Sequence, residues 1–470
     1  MRIRPLLIIS FLLFNVYTQA QTLQQNLQAA FTRLQQDSQC RYASISLTVL
    51  DAQTGETVFI ANPDMGLAPA STLKTVTSIT TFNLLGPEFQ FQTHIGYSGS
   101  IDATGTLNGD LIIKGGGDPT LGSWRWADTK ENVILAKMVN ALQKAGIKQI
   151  NGRIIGDDSA FDTQAIPDGW IWQDAGNYYG AGTSALCWRE NTFDIKLQTG
   201  SVGSLATVLR TVPAMPYFTF NSEIANAPAG MGDKSYAYLP VGNKSMYLRG
   251  SYAVDQSKRS ISVALPDPAY DAAWRLTDTL KRLGLMVSGE PESTITLTGK
   301  KEQAPAITQT LTTIPSPYLK QMVYWLNQKS INLYAEQFLK YLAVKAGKPV
   351  STHTGVETLQ NFWKARGIDV HTLNIYDGSG LSPGDRVTTR SVARILQSAV
   401  GQPWYDAFFE SLPIYNNMKM KSGTIADVVA YAGYQTHDGR RLCFSAIINN
   451  YNGTTSIMRQ KLFRVLDELK

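Results

Sequence analysis

Three short motifs, each present once, limit the fold most: Ser71-Thr72-Leu73-Lys74, Ser330-Ile331-Asn332 and Lys421-Ser422-Gly423. If they form one site, more than half of the 470 residues must leave after the first motif and return before the second. The fold is then a core split in sequence around a large insertion. Alone, each motif reads as something ordinary: a helix cap with a solvated lysine, a loop between helices, an edge-strand lysine before a bend. A four-residue pattern with two free positions arises by chance about once in a chain of this length. The ordered triple is far more specific.

The residue types suit acyl transfer to a serine. A serine hydroxyl is a poor nucleophile until a neighbouring base takes its proton. With Pro69 and Ala70 opening a helix, Ser71 and Lys74 fall three residues apart on one face, which makes Lys74 the candidate base. Apolar Leu73, Val76, Ile79 and Phe82 recur at helical spacing, and Ser71 is expected in the first turn, where free N–H groups favour developing negative charge. A lysine acts as a base only when neutral, so burial and a nearby cation, here Lys421, must depress its pKa. The Lys421-Ser422-Gly423-Thr424 run would grip a substrate carboxylate, with the Ser71 and Thr424 amides as the oxyanion hole. Ser330 can relay a proton to the leaving group. Asn332, both donor and acceptor, can orient Lys74 and hold a substrate peptide carbonyl. Serine and lysine supply nucleophile and base, so neither a cofactor nor a metal is called for.

The ends of the chain complete one another. Leu23, Leu27, Phe31 and Leu34 form a helical stripe; Ile45, Leu47 and Val49 alternate as a strand, with a turn at 51–55 and a partner strand at 57–60. Far downstream, the Lys421 strand leads to strands at 428–435 and 441–449 about a turn at His437-Asp438-Gly439, then a helix from Thr454 with apolar Ile457, Leu462, Leu466 and Leu469. That helix is expected to pack on its own sheet. Helices at 318–329, 333–345, 356–366 and 389–400 would form an opposing layer, giving a two-layer core. The stretch 95–306 reads as a mostly β insertion with one clear helix near 132–145.

Arg2 and Arg4 precede an apolar run, Pro5 to Phe14, and Thr18 and Ala20 supply small residues, so residues 1–20 read as a signal peptide. No later segment reaches the roughly 18–20 apolar residues of a membrane span. Hydrophobic content of 43% and charged content of 17% are those of a globular protein. Cys40, Cys187 and Cys443 allow at most one internal disulfide. The net charge of +6 forms no basic stripe of the kind that binds nucleic acid. Gly115-Gly116-Gly117 lacks the Lys-Ser/Thr of a phosphate loop, and a turn is the better reading.

Beyond the triple, the chain carries Asp377-Gly378-Ser379-Gly380-Leu381-Ser382, Gly115-Gly116-Gly117-Asp118-Pro119, and Gly169-Trp170-Ile171-Trp172 followed by Asp174 and Tyr178-Tyr179-Gly180. On these runs it resembles, over nearly its whole mature length, the D-alanyl-D-alanine carboxypeptidase/endopeptidase family typified by penicillin-binding protein 4. The resemblance implies an α+β, beta-lactamase/transpeptidase-like domain over 21–95 and 306–470, interrupted at 96–305 by two nested, mostly β domains. It also implies an exported enzyme of the periplasm that cleaves D-Ala-D-Ala ends and D-Ala-diaminopimelate cross-links of peptidoglycan stem peptides through a Ser71 acyl-enzyme. Beta-lactam antibiotics would be covalent inhibitors. In the family an inserted acid holds the diaminopimelate side chain; Asp174 matches it, and Tyr179 would line the same pocket. One departure is Pro383 directly after the Asp377–Ser382 run, where relatives often carry arginine.

Three rivals differ in testable ways. A Ser-His-Asp hydrolase would draw on His94, His353, His371 or His437, and no G-x-S-x-G occurs. A beta-lactamase would share the acylation chemistry but release the antibiotic fast. A non-enzymatic wall-binding or penicillin-sensing protein would have no need of Lys74.

Overall fold

The computed structural model describes residues 22–239 and 244–470, so the signal peptide expected at 1–20 lies outside the described residues. The chain divides into two compact units: Met1–Pro87 with Val323–Ser330 and Val356–Lys470, and Glu88–Met322 with Ile331–Gly355.

In the first unit both ends of the chain enter one six-stranded antiparallel sheet. Its order is Thr57–Ala61, Ser44–Asp51, Arg440–Asn449, Val428–His437, Met418–Ile425, Ile414–Tyr415. The hairpin of the two longest strands turns at Asp438 and Gly439, both with positive φ (47° and 77°), the conformation of a primed turn that suits the sheet's twist. Leu47 faces Ala446, which also faces Tyr431, so sequence neighbours of the two chain ends become cross-strand neighbours.

The expected two-layer core is corrected to three layers, because helices cover the sheet on both faces. On one face lie the helix over 22–35, through Leu23, Leu27, Phe31 and Leu34, and the helix Thr455–Leu466, through Met458, Leu462, Val465 and Leu466. Leu462, Leu466 and Leu469 are buried as expected, whereas Ile457 is exposed. On the other face the helix Thr389–Ala399 sets Thr389 Oγ1 against Ser46 Oγ (2.6 Å) and Thr48 Oγ1 (2.9 Å). Two-sided cover explains why Ser44–Asp51 is buried almost continuously, and why Ser46 and Thr48 must be hydrogen-bonded. Truncating a wholly buried leucine such as Leu27 to alanine costs about 2–5 kcal/mol.

The second unit holds two hydrophobic cores. One joins a five-stranded and a four-stranded sheet to the helices Glu131–Lys144 and Pro268–Arg282. The other lies between two three-stranded sheets formed from strands between Thr192 and Ala264. The helix Pro268–Arg282 is absent from the sequence reading, although Asp267 caps it through the Tyr270 amide (2.9 Å) and Pro268 stands in its first turn. The helix Asn332–Lys345 also belongs to this unit, where Phe338 stacks on Phe91. All three cysteines are free and buried. Among the described residues no helix is long and apolar enough to cross a membrane.

Candidate active site

Ser71 lies in a 3₁₀ turn, Ala70–Thr72, that leads directly into the α-helix Leu73–Leu85, rather than inside the helix's first turn as its spacing suggests. The turn is held in an unfavourable shape. Ala70 has φ +44°, a left-handed conformation that costs an alanine about 1 kcal/mol or more. Two glycines enforce it by close backbone approach. A Cβ on Gly380 would stand 1.9 Å from the Ala70 carbonyl oxygen, and one on Gly423 would stand 2.5 Å from the Pro69 oxygen and 3.0 Å from the Ser71 nitrogen. Only glycine lets these two motif backbones clamp the turn.

Lys74 is wholly buried, while Ser71 is half-buried and reachable. Lys74 Nζ donates to Ser71 Oγ at 2.8 Å and to the Ser379 carbonyl at 2.7 Å. The second contact gives the Asp377–Ser382 run a part to play. The buried Asp377 carboxylate accepts from the amides of Ser379 (3.1 Å), Gly380 (2.7 Å) and Ser382 (2.8 Å), folding the run into a tight loop. Thr77 Oγ1, one helical turn beyond Lys74, donates to the Gly378 carbonyl (2.6 Å). Sequence reasoning used this run only as a family mark. A contact between residues 305 positions apart leaves no local pattern to read.

Lys421 comes from the strand Met418–Ile425. Its Nζ donates to Ser330 Oγ (3.0 Å) and to the Ser422 carbonyl (2.8 Å). Burial pushes its pKa well below the usual lysine range, and the charge of Lys74 pushes the same way. Ser330 follows the helix Leu319–Lys329 with φ +55°, another left-handed residue. Asn327 on that helix braces the approach by donating to Ser78 Oγ (3.3 Å) and Ser411 Oγ (2.8 Å).

Strand alternation settles where the Thr424 amide points. The Met420 N–H donates to the Pro413 carbonyl, away from the Val428–His437 strand, and the pairing runs on without a bulge. Period-two alternation turns the N–H groups of Ser422 and Thr424 to that same open side. Ser422 is half-buried and Thr424 exposed, both more accessible than Lys421 and Gly423.

Ser71, Lys74, Ser330, Lys421, Ser422, Gly423 and Thr424 thus belong to the first unit, and Asn332, Asp174 and Tyr179 to the second. There Asn332 Nδ2, in the first turn of its helix, donates to the Tyr179 carbonyl (2.7 Å). Tyr179 in turn donates from its hydroxyl to Asp174 Oδ1 (3.2 Å). Burial raises the Asp174 pKa, with the Tyr179 hydrogen bond opposing it; burial likewise raises that of Tyr179. Gly180 makes the loop possible, since a Cβ there would stand 1.9 Å from the Asp174 carbonyl oxygen.

The geometry can be set beside known proteins. A family model described as the D-Ala-D-Ala carboxypeptidase 3 (S13) family matches residues 23–417. A D-alanyl-D-alanine carboxypeptidase of Actinomadura sp. (strain R39) is 24% identical over 449 residues, covering 89% of this chain and 80% of the relative. The D-alanyl-D-alanine carboxypeptidase DacB of Haemophilus influenzae is 26% identical over 408 residues, covering 82% of this chain and 80% of that one. The crystal structure of penicillin binding protein 4 (dacB) from Haemophilus influenzae matches with a TM-score of 0.77 at 23% identity, covering 93% of this chain and 98% of that chain. That likeness shows the shared α+β fold.

Proposed function

Since the chain belongs to the D-Ala-D-Ala carboxypeptidase 3 (S13) family of serine-type peptidases, we propose that Ser71 is its nucleophile and Lys74 the base that activates it. The observation that carries this is the 2.8 Å contact between Lys74 Nζ and Ser71 Oγ, made by a wholly buried ammonium that also donates to the Ser379 carbonyl.

The substrate is the D-Ala-D-Ala end of a peptidoglycan stem peptide. Neutral Lys74 takes the Ser71 proton as Oγ attacks the carbonyl of the penultimate D-Ala. The oxyanion that forms sits between the Ser71 and Thr424 amides, both backbone donors needing no rearrangement. Ser330, in contact with Lys421, relays that proton from Lys74 to the departing amine. Lys74, neutral again, takes a proton from the water that attacks the ester and returns it to Ser71 Oγ as the acid is released. Ser422, Gly423 and Thr424 bind the terminal carboxylate, with Lys421 supplying positive charge at the same strand.

Asp174 and Tyr179 form the specificity pocket for a charged side chain on the stem peptide, which extends the reaction to D-Ala-diaminopimelate cross-links. Burial supports this: a carboxylate held above its usual pKa gains most from an incoming ammonium. Asn332 positions this pocket through Tyr179 and offers an amide to the substrate peptide. The N-terminal leader pattern supports a periplasmic location for the enzyme.

Incubation with benzylpenicillin followed by intact-mass measurement and peptide mapping tests the assignment. A lasting adduct on Ser71 is expected. No adduct on the folded chain would refute it, and a fleeting adduct would favour the beta-lactamase reading. In the pocket, Asp174→Asn should weaken kcat/KM for diaminopimelate peptides about tenfold more than for simple D-Ala-D-Ala mimics; equal losses on both would remove the assignment.

A further inference from the structure

A cavity of about 510 Å³ opens in the second unit, within the size range of small-molecule sites. Its walls include Trp170, Trp172, Tyr217, Lys244, Tyr270 and Thr296. We propose that it binds an acetamido sugar of the glycan from which the stem peptides branch, a reading that rests on the peptidoglycan substrate above.

Three features of the walls select the ligand. First, the aromatic rings are presented for use: Trp172 is 61% exposed even beside Tyr238, a costly arrangement for an indole. A sugar offers such rings an apolar C–H face and keeps its hydroxyls for the polar edge, where Gln164, Thr183 and Thr296 also lie. Second, the charges exclude a cationic ligand. The Lys244 ammonium already stands over Tyr270 at 4.4 Å and Tyr217 at 5.7 Å. The Asp267 carboxylate is spent on the Tyr270 amide (2.9 Å) and the Ser293 hydroxyl (2.6 Å). Third, a peptide added as a strand has no free edge here. The edge strand Ser260–Ala264, whose Ala264 lines the cavity, gives its Ala264 amide to the Gly176 carbonyl (2.9 Å); the edge strand Asp233–Tyr238 gives its Ala237 amide to Asn177 Oδ1 (3.2 Å), and Trp172 packs on Tyr238 with centroids 4.7 Å apart.

Continuity of the chain fixes the relation to the peptide. Residues 163–183 line the cavity through Thr163, Gln164, Trp172 and Thr183, and the same stretch carries Asp174 and Tyr179. One segment would therefore hold both the sugar and the stem-peptide branch of a single substrate.

Titration of the full chain with the β-1,4-linked N-acetylglucosamine dimer, followed by tryptophan fluorescence and saturation-transfer NMR, tests this. Saturable binding is expected, about tenfold weaker in Trp172→Ala and weakened in Lys244→Gln, both exposed positions whose folding is checked by thermal unfolding. No binding to the intact chain, undiminished binding in both folded variants, or displacement of the sugar by a short sugar-free D-Ala-D-Ala peptide would overturn it. The same titration on Ser71→Ala separates the two readings. Sugar binding without penicillin acylation of the intact chain would sink the catalytic reading alone, and acylation without sugar binding would sink this one alone.

Discussion

The two units bury lysines differently. In the second unit Lys340 is 1% exposed and donates to Asp162 Oδ1 (2.6 Å) and the Gln164 carbonyl (2.6 Å). Burial lowers its pKa, but Asp162 opposes the shift. In the first unit Lys421, equally buried, has a hydroxyl and a carbonyl as partners and Lys74 as a neighbouring charge. Among the described residues no carboxylate lies within salt-bridge range of it. A lysine buried with a carboxylate ties down a loop; two lysines buried near each other among neutral oxygens resist being charged together, so that one can give up its proton and serve as a base.

Breaking each site in turn sharpens the contrast. Lys74→Ala is expected to slow penicillin acylation by about a hundred- to ten-thousandfold with the fold intact; stopped-flow acylation near the native rate would dismiss Lys74 as base. Gly423→Ala should cost about a hundredfold in the same assay, because the added methyl pushes the Ser71 turn out of position; an unchanged rate would show that the clamp is dispensable. Lys340→Met should leave the acylation rate per folded molecule unchanged while lowering stability by about 2–3 kcal/mol in urea unfolding, the lower end for a broken buried pair since Asp162 is partly solvated. A loss of acylation there would erase the distinction between the two lysine sites.

The smallest effect concerns a buried charge of the opposite sign. Asp118 is fully buried and accepts from Thr120, with burial pushing its pKa up to about 6. An acid whose folded pKa lies above its unfolded one holds its proton more tightly when folded, so its contribution is complete below about pH 4 and is lost as pH rises through about 6. Asp118→Asn should therefore gain about 1–2 kcal/mol at pH 7 and nothing at pH 4; an equal effect at both values would contradict the burial argument.

Local signals in the sequence carried the outer frame. Alternation at Ile45, Leu47 and Val49 and the turn at 437–439 made the terminal strands legible, and the spacing of Ser71 and Lys74 made their contact legible. Long-range backbone contacts stayed hidden. Nothing near Ser379 announces that its carbonyl meets Lys74, and nothing in Gly423 announces the Ser71 amide at its side. The third layer was missed because the terminal helices were read without assigning them a face of the sheet. The Pro268–Arg282 helix was missed despite its Asp267-Pro268 start, its stretch having been read as part of a mostly β insertion.

The pairing of Ser44–Asp51 with Arg440–Asn449 has a consequence for the order of events in the life of the chain. During synthesis the serine emerges early, but the strand with Gly423 and Lys421, and the central strand that seats it, emerge near the end. Until then the Ser71 turn lacks its clamp and its second lysine. If Ser71 is the nucleophile proposed above, any partly made or clipped chain would carry it without the means to arm it, and hydrolytic power would appear only in a molecule whose last strands have closed the sheet.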